Sequence, residues 1–139
     1  DMLQEQAHEF TGRFKVQVAG PWTLAATVFR PLGGRVLADR GACRDLAQSL
    51  AQGTNDLLAE IAIKLPGVEL VLQVDEPALP AVLAGAVPTE GGYFRHRSID
   101  LPEAAEALRL LSVLTPGAVL HCCDSGLQAS LVARSGFGA

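Results

Sequence analysis

The chain predicts an α/β fold built on a parallel sheet. Two observations carry this. Short apolar runs of strand length alternate with stretches of helical periodicity, in the order strand, helix, strand, helix, strand, helix. Each run also ends in polar residues: Gln17 in the first, Asp75 with Glu76 in the second, His121 with Cys123 in the third. Polar groups at the carboxyl ends of successive parallel strands converge on one site in α/β proteins.

Lys15 to Ala19 reads as the first strand, broken by Gly20-Pro21, and Arg30-Pro31-Leu32-Gly33-Gly34 as a loop. An amphipathic helix follows from about Ala38 to Lys64, with Leu46, Leu50, Leu57, Ile61 and Leu65 near helical spacing and Pro66-Gly67 as its stop. Glu69 to Val74 is the second strand. Its nearly unbroken apolar run predicts burial on both faces. After Asp75-Glu76-Pro77 come a helical turn and a Gly/Pro-rich loop, from Ala78 to about Tyr93. Pro102 opens a helix through Leu114, Ala118 to Cys123 form the third strand, and a last helix covers Gln128 to Arg134. His8, in the polar amino-terminal segment, falls in a helix and receives no role.

A chain of 139 residues with a 49% hydrophobic content supports one domain with a real core and is too short for two. A net charge of −4 without a basic cluster makes nucleic acid an unsuitable partner. The apolar runs fall short of the roughly 18 residues that a membrane span needs. Asp1 to Phe10 lacks the basic start and apolar centre of a signal peptide. Three cysteines, two of them adjacent, make no disulfide framework, and a reducing cytoplasm is the expected compartment.

The chemistry centres on His121-Cys122-Cys123. Alternate strand residues share a face, so His121 and Cys123 project together and Cys122 turns towards the helices. Imidazole and thiolate on one face suit zinc, although two ligands are half a tetrahedral site and a core cysteine pair is the plainer alternative. Cys43, on the long helix, reads as structural. Asp75 and Glu76 either cap the following turn or hold a cationic group such as a substrate ammonium. Gly20-Pro21-Trp22-Thr23 permits a tight turn and close backbone approach to a ligand; Trp22 either stacks on a flat ring or packs. Lys15 shares a strand face with Gln17 and belongs at the surface. His96, between two arginines, reads as a solvated loop residue.

Together these strand ends resemble the carboxy-terminal domain of cobalamin-independent methionine synthase, and within that family the shorter actinobacterial-type relatives. The matching stretches are Lys15 to Leu24 (KVQVAGPWTL), Gln73 to Leu79 (QVDEPAL) and His121 to Cys123, in the family's order with similar spacing. The resemblance runs from about Phe14 to the end. It implies a partial (β/α)₈ barrel of about three to four βα units, one domain over residues 1–139 as part of a longer barrel. It implies a methyltransferase in which zinc, bound by His121 and Cys123, holds a thiol such as homocysteine, with a methyl-folate as methyl donor. Asp75, with Glu76 and Gln17, would hold the substrate. The family's other ligands, a Glu and a Cys, lie downstream of its His-x-Cys pair. The position of its folate-side Trp falls at Thr27, and the Arg-Glu after its Asp-Glu-Pro-Ala-Leu is Pro80-Ala81 here.

An uroporphyrinogen decarboxylase-like or corrinoid methyltransferase-like barrel is the alternative enzyme class. A non-catalytic piece is the third expectation. An open parallel sheet with exposed edges and apolar barrel-facing side chains predicts a homo-oligomer.

Overall fold

Three strands pair in parallel in sequence order, β1 (Gly12–Ala19), β2 (Val68–Asp75) and β3 (Val119–His121). The computed structural model describes residues 2–7, 9–123 and 129–138. β1 and β2 pair over their full length, from Gly12 opposite Val68 to Ala19 opposite Asp75, and β3 joins only at the far end, with His121 opposite Asp75. Parallel pairing needs a crossover between strands, and helices supply it. The long α3 (Arg40–Lys64) lies between β1 and β2, and α4 (Leu79–Ala84) and α5 (Leu101–Ser112) between β2 and β3.

The pleat sorts the side chains. Phe14, Val16 and Val18 of β1, Val68, Leu70, Leu72 and Val74 of β2, and Leu120 of β3 all belong to the apolar cores, and all lie on one face. Against that face pack α3, α4, α5, the short α2 (Pro21–Thr27) and α6 (Ala129–Ser135). Leu3 and Ala7 of α1 (Met2–Ala7) adjoin the cluster around Val16, Leu58, Ile61 and Leu65.

The other face is not a core. Arg13, Lys15 and Gln17 are exposed, and Val71, Gln73 and Asp75 are half-buried. The expectation that β2 is buried on both faces therefore fails. Its apolar run covers one face with Leu70, Leu72 and Val74, while Glu69, Gln73 and Asp75 break the other. The apolar side chains expected on an open sheet reduce to Val71 and Val119, with the small Ala19.

Helix boundaries follow caps. The Asp39 side chain accepts a hydrogen bond from the Ala42 N–H at 3.0 Å, so α3 starts at Arg40, after a 3₁₀ turn at Val36–Ala38. Its buried stripe is Cys43, Ala47, Thr54, Leu58 and Ile61. Of the expected apolar positions, Ile61 and Leu65 are buried and Leu46 and Leu50 pack on the core, while Leu57 is exposed and its neighbour Leu58 takes the buried position. Asp100 caps α5 in the same way, accepting from Glu103 N–H at 2.9 Å, and α5 ends two residues short of Leu114. The helix α2 was not expected; seven residues are too few for a periodic signal, and only Pro21 in its first turn marks it. Gln128, the expected start of α6, lies outside the described residues, as does His8.

Beyond α6, Gly138 bridges Val119 in parallel on the outer side of β3. No helix among the described residues is long and apolar enough to cross a membrane.

Candidate metal centre

Backbone hydrogen bonds tie the three strand ends together. Gly20 N–H donates to Asp75 O at 2.8 Å, and Glu76 N–H donates to His121 O at 2.8 Å. On the open face, this level of the sheet carries Gln17, Gln73, Asp75 and His121.

Asp75 is their hub. Its Oδ1 accepts from Gln73 Nε2 at 2.7 Å and lies 3.0 Å from His121 Nδ1, while its Oδ2 accepts from Gln17 Nε2. Lys15 Nζ extends the row by donating to Gln73 Oε1 at 3.0 Å. Partial burial alone would raise the Asp75 carboxyl. The bonds from Gln73, Gln17 and His121 outweigh it and hold the group below its ordinary range.

With Nδ1 turned to Asp75, the His121 Nε2 faces Cys123, whose Sγ lies 3.8 Å away. A tetrahedral zinc with ordinary Zn–N and Zn–S bonds separates its nitrogen and sulfur ligands by about 3.6 Å. The pair is thus set to nearly the spacing such an ion needs. Cys123 lies just past the end of β3, which stops at His121 because β2 offers no partner beyond Asp75. Among the described residues no three His, Cys, Asp or Glu side chains form a metal-holding group.

Glu76 takes the opposite side of the sheet from Asp75. It is fully buried, and its carboxylate accepts from Trp22 N–H at 2.9 Å, Thr23 N–H at 2.8 Å and Thr23 Oγ1–H at 2.7 Å. Burial pushes its pKa up to about 7, and the bonds from Thr23 and Trp22 offset only part of that effect. Where both carboxylates were expected at the substrate, one is open to the strand-end face and the other is sealed beneath α2. The close approach expected at Gly20 is likewise to Glu76 rather than to a ligand: a Cβ there would overlap the Glu76 side chain.

Trp22 packs in the core, its indole N–H donating to Ala104 O at 3.1 Å. The Cys43 thiol is buried against Val36 O, and burial raises its pKa, as suits a structural cysteine. Cys122 is half-buried. His96 is half-buried rather than solvated, and its Nε2 is buried without a hydrogen-bond partner. Tyr93 is exposed in its loop. A groove of about 450 Å³ opens between α3 and α5 beside Trp22 and Cys43, among the helices, and shares no residue with the strand-end site.

Gln73 is the member that the sequence did not single out as a site residue. Its signal was its spacing, two residues before Asp75 on the same strand face.

No family model matches the chain, and neither a curated protein nor a solved structure matches it.

Proposed function

We propose that the chain is the strand-end portion of a zinc-dependent methyltransferase of the cobalamin-independent methionine synthase type, built on a (β/α)₈ barrel and working in the reducing cytoplasm. The observation that carries this is the His121 Nε2 to Cys123 Sγ spacing of 3.8 Å beside the Asp75 carboxylate. Two further features support it: the strands add in sequence order, and Gly138 bridges Val119 in parallel where a next strand of a barrel would lie.

His121 Nε2 and Cys123 Sγ would hold the metal from the end of β3 and the residue pair after it. Zinc, when bound, supplies Lewis acidity that keeps a substrate thiol as thiolate at neutral pH. The chain's own residues do the rest of the work available to them. The open face around Gln17 and Asp75 offers amide and carboxylate groups for the amino-acid end of a thiol such as homocysteine. Glu76, under α2, fixes the strand end from which Asp75 projects. The reaction class is transfer of a methyl group to that thiol from a donor such as a methyl-folate.

The test is elemental analysis of the purified 139-residue chain beside its His121→Ala variant. Near-stoichiometric zinc that the variant loses supports the proposal. Zinc content that is negligible, or equal in the two proteins, overturns the assignment of His121 and Cys123.

A further inference from the structure

The geometry points to Asp75 as the positioning residue of His121: its carboxylate, clamped by Gln17 and Gln73, takes the His121 Nδ1–H and leaves Nε2 as the nitrogen that faces Cys123. This deepens, and rests on, the zinc methyltransferase proposed above.

Three contacts fix the carboxylate before the imidazole is considered. Gln73 Nε2 sits 2.7 Å from Oδ1, Gln17 Nε2 bonds Oδ2, and Gln73 is itself braced by Lys15 Nζ at 3.0 Å from its Oε1. Two amide donors from neighbouring strands hold the carboxylate plane, so its free lone-pair direction on Oδ1 is fixed where His121 Nδ1 meets it at 3.0 Å. A carboxylate accepts hydrogen bonds only, so Nδ1 must carry the proton there. The neutral imidazole is then bound to the Nδ1–H form, with the Nε2 lone pair free for a metal. Metal-ligating histidines are commonly oriented by a carboxylate on the other ring nitrogen, and loss of that partner typically weakens metal binding by about 10- to 100-fold. Without it, the His121 side chain, 53% exposed, has little else to set its ring angle. The Gln17–Asp75–Gln73 clamp spans β1 and β2, and the bond to His121 brings in β3. Register between the three strands therefore becomes aim at one nitrogen.

Two readouts test this on the 139-residue chain, with Asp75→Ala and His121→Ala variants and matched far-UV circular dichroism as a check on folding. The first needs no metal: the His121 tautomer, from ¹⁵N shifts at a pH where the ring is neutral, assigned by the signals lost in His121→Ala. The wild type is expected in the Nδ1–H form, and Asp75→Ala in a mixture dominated by Nε2–H. The second is affinity for Zn²⁺ alone, by competition with a chelator. Asp75→Ala is expected to bind about 10- to 100-fold more weakly, and Asp75→Asn, which keeps an acceptor oxygen but loses one clamp bond, in between. An unchanged tautomer with unchanged zinc affinity in Asp75→Ala overturns the inference and leaves the zinc site standing. Zinc binding that His121→Ala does not weaken overturns the zinc site itself, and the inference with it.

Discussion

Replacing Gly20 by Ala should destabilise the chain, although its backbone argues for the opposite. Gly20 sits at φ −79° and ψ 166°, a conformation any L-residue adopts. Gly→Ala at such a position normally stabilises by about 0.4–1 kcal/mol, through the unfolded chain. Here the added methyl would fall within the Oε1, Cδ and Cγ atoms of Glu76. Glu76 cannot give way cheaply: it is fully buried, and its carboxylate is held by Trp22 N–H, Thr23 N–H and Thr23 Oγ1–H. A hydrogen bond to a charged group contributes about 1.5–3 kcal/mol, so displacing the carboxylate from two of the three costs about 3–6 kcal/mol. That is a large share of a total stability of about 5–15 kcal/mol.

Urea denaturation, followed by circular dichroism and by the fluorescence of Trp22, measures the change. Gly53 supplies the control. It lies exposed inside α3 with nothing near its missing Cβ, so Gly53→Ala should stabilise by about 1 kcal/mol. A double-mutant cycle isolates the cause, because Gly20→Ala should cost little once Glu76 is also Ala. A Gly20→Ala chain as stable as the wild type, or an equal cost in the Glu76→Ala background, would refute the reasoning.

Two further predictions concern stability. Glu76 ionises at about 7 in the folded chain against an ordinary value of 4.5, so the folded state holds the extra proton between those limits. The sign follows: stability is highest below about pH 4.5 and falls as pH rises towards 7, by about 3 kcal/mol from this group. Glu76→Gln should remove that slope, and urea midpoints at pH 5 and pH 7.5 that move in parallel for wild type and variant would contradict it. Thr115 Oγ1 accepts the Leu72 N–H at 3.0 Å in a buried setting, where β3 has not yet begun and the strand ladder offers no carbonyl. Thr115→Val should therefore cost about 1–3 kcal/mol by orphaning that donor, and Thr115→Ser much less; equal midpoints for the two variants would remove this role.

Much of the strand framework was legible because strand-length apolar runs and turn residues are local signals. The alternation of strands with helices, the stop at Pro66-Gly67 and the helix opened by Pro102 all follow from them. Burial on the second sheet face was not legible. Leu70-Val71-Leu72 reads as apolar throughout, and only the partner strand decides that Val71 faces the open side with Lys15 and Gln73. The α3 stripe was legible in outline, with Ile61 and Leu65 buried and Leu46 and Leu50 packed on the core; Leu57 missed by one position, and the small Cys43 and Ala47, buried towards the start of the helix, carry little periodic signal. At the site, the nearness of His121 and Cys123 was expected from alternation along a strand reaching Cys123, whereas β3 ends at His121 and Cys123 comes near the ring from the turn that follows. The separation of Asp75 from Glu76 follows from the same rule, but the partner of Glu76 does not. It depends on α2, a helix too short to announce itself.

That separation lets two adjacent carboxylates stand at one strand end without competing. Side by side on one face they would repel each other, and each would raise the other's pKa. The pleat sends them to opposite sides of the sheet. Glu76 then anchors α2 against the end of β2, and its own N–H binds the carbonyl of His121. Asp75, on the far side of the same backbone, binds the imidazole of that same His121. Both ends of one histidine are thereby referred to consecutive residues of β2, its carbonyl to Glu76 and its ring to Asp75. A shift of the β2–β3 register would misplace both at once. The orientation of His121 is therefore a consequence of strand register and of the buried contact beneath α2.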